Sequence, residues 1–131
     1  MKPVHTLEEY QDLLDQNPLV LTYITGTNCG VCSSVKPKIR EILADFPDIT
    51  ALEINAHQDR ELAAQLSVFT IPAVLVSVQG REHIREARYF SLEELRRRID
   101  RLVALFSSAA SPQPATSYPE GTPATPEIPT R

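Results

Sequence analysis

The connections between the apolar runs constrain this fold more than the runs themselves do. "LVLTYIT" at 19–25 and "ITALEINA" at 49–56 read as strands, and the residues between them are numerous enough for a helical crossover. "AVLVSV" at 73–78 is different. It meets the turn signal "QG" at 79–80, after which "REHIREARYF" can return as a hairpin partner. Parallel strands need a crossover of about a dozen residues or more, whereas a tight turn joins only antiparallel ones. The order is therefore βαβ followed by ββα. That predicts an α/β fold, a central mixed sheet of four to five strands flanked by helices on both faces. A short "PVH" at 3–5 supplies the fifth, an edge strand.

The helices carry their own punctuation. Thr6 with Glu9 makes a capping-box pattern ahead of Leu7, Tyr10, Leu13 and Leu14 at helical spacing, and Pro18 ends that helix. A second helix runs from about Gly30 to Phe46 with Pro37 inside it, and "DRELAAQLS" is a short third. Ser91 with Glu94 forms another capping box before Leu92, Leu95, Ile99, Leu102, Val103 and Phe106, one apolar face. After Phe106 the composition breaks: "SSAASPQPATSYPEGTPATPEIPTR" has prolines at 112, 114, 119, 123, 126 and 129 and only scattered apolar residues. Such a stretch cannot bury a core. The expected organisation is one domain at 1–106 and a disordered tail at 107–131.

The formal charge of −4 argues against nucleic-acid binding. No apolar run approaches the roughly 18 residues that span a bilayer, and "MKPVHTLEEY" lacks the apolar core of a secretory signal. The expected compartment is the cytoplasm, where thiols stay reduced and structural disulfides are rare.

Both cysteines of the chain fall in "TNCGVC" at 27–32, between the first strand and the second helix. A structural clip closing four residues would contribute only about 2 kcal/mol of loop-closure stabilisation. A structural zinc wants four ligands, and His5, His57 and His83 stand at no finger or knuckle spacing, so no metal site is expected. A redox pair fits best, with an inert pair as the remaining reading. At a helix N-terminus the free N–H groups and the positive dipole end stabilise an anion, so the Cys29 thiolate should form at lower pH than that of a free thiol. The main benefit comes when Cys29 is expelled as a leaving group. Cys32, one turn on, is the natural resolving thiol.

With these features the chain resembles the thioredoxin family over residues 3–106. "CGVC" at 29–32 stands for the active-site motif, Pro37 for the helix-kinking proline, and "TIP" at 70–72 for the loop proline that faces the cysteines. The resemblance implies a cis Ile71–Pro72 bond, with Pro72 over the sulfurs. It also implies that the Ile71 backbone pairs with an extended substrate, while Asn28, Gly30, Val31 and Pro72 rim a shallow groove. It implies a protein-disulfide reductase without cofactor, acting as a monomer on disulfide-containing proteins and restored by a flavin reductase or a low-molecular-weight thiol. Neither nucleic acid nor membrane is among the expected partners. Four positions depart from the family pattern. Asn28 replaces tryptophan, Val31 replaces proline, Tyr23 stands where a buried acid assists the resolving thiol, and Arg88 stands where glycine is expected. The alternative is an interaction module that keeps the fold while its thiols react slowly or not at all.

Other features have plain explanations. "RRR" at 96–98 with Arg101 is a solvated helix face, the three histidines are surface residues, and Lys36 and Lys38 are helix surface or add positive field near Cys29. Tyr23 is core packing with a paired hydroxyl.

Overall fold

The computed structural model describes residues 1–110, with side chains through Phe106. Its elements are β1 (Lys2–Pro3), α1 (Leu7–Gln16), β2 (Leu19–Thr25), α2 (Gly30–Ala44), β3 (Thr50–Asn55), α3 (Arg60–Gln65), β4 (Ala73–Val78), β5 (Arg81–Ala87) and α4 (Leu92–Ala110). Two compact units divide the chain, Met1–Arg98 and Ile99–Arg131. The first holds the whole sheet, α1 to α3 and the opening turns of α4; in the second, α4 continues to Ala110.

The five strands lie in the order β1-β3-β2-β4-β5. β1 and β2 flank β3 in parallel, while β4 is antiparallel to both β2 and β5. The mixed sheet expected from the connections is thus present. The edge strand is displaced: it pairs through Lys2 and Pro3, and Val4 then donates to the Glu53 carbonyl at 3.0 Å. β5 carries an irregularity opposite Val76 and Ser77.

Alternation along β2 divides the core between the faces. Val20 and Ile24 join Leu52, Ile54, Ala73 and Leu75, and Tyr10 of α1 and Leu62 of α3 pack against them. Thr22 is fully buried on the same face, where its hydroxyl meets that of Tyr10 at 3.2 Å. Tyr23 points the other way, toward α2. Helices therefore cover both faces, and β2 is buried along nearly its whole length.

The helix starts follow the capping residues. The Glu9 N–H donates to Thr6 Oγ1 and the Glu94 N–H to Ser91 Oγ, both at 3.1 Å. Helix α4 continues four residues past the composition break at Phe106, since "SSAA" offers no proline to stop it. The proline-rich stretch from 111 onward lies outside the described residues.

Candidate active site

Strand β2 delivers the chain to the cysteines. After Thr25, Gly26 lets two side chains close in: a Cβ there would meet the Ile71 side-chain tip and the His57 ring, the latter at 2.9 Å. Thr27 donates its N–H to His57 Nδ1 at 3.0 Å, and Ala56 donates to the Thr25 carbonyl at 2.8 Å. The loop is thus fastened to the end of β3. Asn28 takes a left-handed backbone, φ 56°, a conformation that asparagine tolerates better than most residues. Cys29 is the N-cap of α2, and its sulfur accepts from the Cys32 N–H at 3.2 Å.

Cys29 and Cys32 are joined as a disulfide with their Cα atoms 5.2 Å apart. Their surroundings differ. Cys29 is partly exposed, whereas Cys32 is 1% exposed. Asn28, Gly30 and Val31 are exposed around them.

The remaining expected site residues arrive from the start of β4. The Ile71–Pro72 bond is cis. The Ile71 side chain reaches Gly26, which brings it to the motif loop, and Ile71 is partly exposed. Pro72 is buried, so the accessible rim consists of its neighbours. Ile24 pairs with Ala73 and Ala73 with Ala87, so Thr25, Pro72 and Arg88 lie level across one end of the sheet. Arg88 donates its N–H to the Pro72 carbonyl at 2.7 Å.

Behind Cys32 stands a group that the sequence placed correctly. Tyr23 is fully buried, and its hydroxyl donates to the Cys32 carbonyl at 2.6 Å. Burial first, and then the negative charge of Glu53, push the phenol up to about 12, so it remains a neutral donor. Glu53 pairs with Tyr23 in the β2/β3 register, and its carboxylate holds the Lys36 ammonium at 2.9 Å through both oxygens. Lys36 is thereby tied to β3.

Three residues close to the site residues in sequence or space were not among the expected site residues. His57 follows β3, far from Cys29 in the chain, yet shapes the loop before it. Phe69 and Tyr89 are 80% and 82% exposed, in the segment before Pro72 and just after β5. An aromatic residue outside the apolar periodicity was the available hint at both.

Comparisons with known proteins place this arrangement. The thioredoxin family model matches residues 2–101. The thioredoxin-like protein YdfQ of Bacillus subtilis (strain 168) is 35% identical over 106 residues, covering 81% of this chain and 95% of that protein. Thioredoxin-1 of Schizosaccharomyces pombe is 28% identical, over 66% of this chain and 82% of its own length. Among solved structures, oxidised mitochondrial thioredoxin 3 from Saccharomyces cerevisiae superposes with a TM-score of 0.69 at 17% identity, covering 77% of this chain and 94% of that one. Fasciola hepatica thioredoxin gives a TM-score of 0.70 at 23% identity, covering 77% and 98%.

Proposed function

We propose that this chain, which belongs to the thioredoxin family, reduces disulfides of cytoplasmic proteins through Cys29 and Cys32. Family, fold and a CxxC pair at bonding distance support thiol–disulfide exchange as its general chemistry. The observation that carries the finer reading is the unequal exposure of two sulfurs one helical turn apart.

In the dithiol form the Cys29 thiolate attacks one sulfur of a substrate disulfide, and the other substrate sulfur leaves as a thiolate that takes up a proton. Cys32 then loses its proton and attacks Cys29 Sγ. The mixed disulfide breaks, the second substrate thiol departs, and the Cys29–Cys32 disulfide remains. Two electrons have passed to the substrate. A flavin reductase or a low-molecular-weight thiol returns them. Placement of Cys29 at the N-cap of a 15-residue helix favours it both as attacking thiolate and as leaving group. Cys32 is shielded from bulk solvent and adjacent to the sulfur it must attack, as resolution requires. The extended substrate segment would run along the Ile71 backbone, beside Asn28, Gly30 and Val31.

A glutathione redox titration combined with a disulfide-reduction assay tests the proposal. Catalytic turnover is expected. A pair that titrates but never turns over would favour the interaction module. Role assignment has its own test: Cys32→Ser should accumulate mixed disulfides with substrate proteins and Cys29→Ser should not. Trapping through Cys32 in the Cys29→Ser variant would reverse the roles.

A further inference from the structure

The position of Arg88 carries an inference about substrate class. We propose that its guanidinium binds a substrate carboxylate, so that the site selects disulfides with an acidic residue a few positions from the reacting cysteine. The proposal deepens the oxidoreductase reading above and rests on it.

Four observations converge. Arg88 is level with Pro72 and Thr25 at the sheet end that leads to the cysteines, and it donates its own N–H to the Pro72 carbonyl. Its φ is 70°, a left-handed backbone that glycine adopts freely and an arginine adopts at a conformational cost. Its guanidinium forms no ion pair among the described residues, a state it shares with Arg40, Arg60, Arg81 and Arg101 but not with Arg85, Arg96, Arg97 and Arg98, so no carboxylate there competes for its charge. Finally, it lies over the Tyr89 ring, 5.2 Å from the centroid, and both side chains are exposed. An aromatic plate of this kind holds a cation at the surface without neutralising it.

The occupant follows from the chemistry. Arginine presents parallel N–H donors that match a carboxylate. Val31 and Phe69, both well exposed, add apolar surface for an extended segment. The ends of β2 and β5 are two strand separations apart, about 10 Å, and the motif loop continues from the end of β2. An extended chain covers about 3.3 Å per residue, so a substrate segment that reaches from the motif loop to Arg88 spans a few residues. The chain as a whole carries a net charge of −4, so attraction of an acidic segment has to come from local placement.

The test uses reduced full-length Cys32→Ser protein and peptide sets identical except for Glu, Gln or Lys at one position, scanned from two to five residues from a cysteine activated as its thiopyridyl disulfide. Thiopyridone release reports mixed-disulfide formation, and each rate is divided by that of the same peptide with mercaptoethanol. At low ionic strength and at the best position, the Glu peptide should react about three- to tenfold faster than the Lys peptide, with Gln between them, and the ratio should shrink in high salt. Arg88→Glu should invert the ratio. Arg88→Gly should abolish it while melting no lower than the parent, which separates lost selection from lost folding. An equal rate for all three peptides at every position, or a ratio that survives Arg88→Glu, overturns the proposal. Trapping needs only one thiol, so selection without turnover in the disulfide-reduction assay would sink the reductase reading alone. Turnover without selection would sink only the role of Arg88.

Discussion

Replacing Tyr23 with phenylalanine should make the protein less stable at neutral pH and more stable in alkali. Tyr23 donates to the Cys32 carbonyl from a fully buried position, and a net hydrogen bond of this kind contributes about 1 kcal/mol. Loss of the hydroxyl should therefore lower the melting temperature by about 4–8 °C at pH 7. Alkali reverses the order through proton linkage. The phenol ionises near 10 in the unfolded chain and at about 12 in the folded one, so between those values the folded state binds more protons. The stability that Tyr23 contributes is complete below pH 10 and is lost as pH rises through 12. Two decades of proton affinity amount to about 3 kcal/mol at full loss.

The parent should have lost about 1 kcal/mol by about pH 10.7, where the two stability curves cross. By about pH 11.5 the Tyr23→Phe protein should lead by about 1 kcal/mol. Tyr10, whose burial likewise pushes its phenol's pKa up, is present in both proteins and cancels from the difference. Urea unfolding of the disulfide forms from pH 7 to alkali measures the difference directly, with no free thiol to titrate. The chain has four tyrosines and no tryptophan, so the difference in phenolate absorbance between the parent and Tyr23→Phe proteins follows the ionisation of Tyr23. Parallel curves across this range would refute the reasoning, since they would mean that the phenol ionises equally well in the folded state.

Glu53→Gln should cost about 1 kcal/mol, because it leaves the partly buried Lys36 ammonium without its carboxylate. It should also let Tyr23 ionise at lower pH than in the parent, by removing the charge that helps to hold the phenol neutral; denaturant melts and an absorbance titration check the two effects. A chain ending at Ala110, where α4 ends, should melt within about 4 °C of the full-length protein. A larger drop would mean that residues beyond 110 contribute to stability.

Local signals in the sequence located most of the elements. Thr6 and Ser91 cap their helices as their side-chain oxygens predict, but the reciprocal half of each box goes elsewhere: Glu9 accepts from His5 N–H and Glu94 pairs with Arg97. A capping pattern fixes the first residue of a helix better than it fixes the partner of a flexible carboxylate. The irregularity of β5 opposite Val76 and Ser77 and the shift of β1 to Lys2–Pro3 were not legible, because register depends on neighbours that the local pattern does not contain. Asn28, Cys29, Gly30, Val31 and Cys32 are contiguous, so their placement together at the start of α2 was legible. His57 was not, because its link to Thr27 forms only once β2 and β3 pair in parallel. Lys36 illustrates the same limit: its place on a helix after the motif suggested solvent or a field at Cys29, and only the β2/β3 register reveals Glu53 beneath it.

The margins of the sheet bear on how the protein behaves when crowded. β1 is two residues long and ends in a proline, which has no N–H to offer a further strand. β5 is mostly exposed, and it presents Arg81, Glu82, His83 and Arg85 along its length. The Arg85 guanidinium is also spread over Glu82 and the carbonyls of Leu66 and Ser67. Short, proline-ended or charge-studded borders are poor templates for edge-to-edge growth. Concentrated or heat-stressed samples should therefore resist fibril seeding at these borders, and a protein whose proposed task is to meet other chains in extended form can do so with little risk of being extended by them.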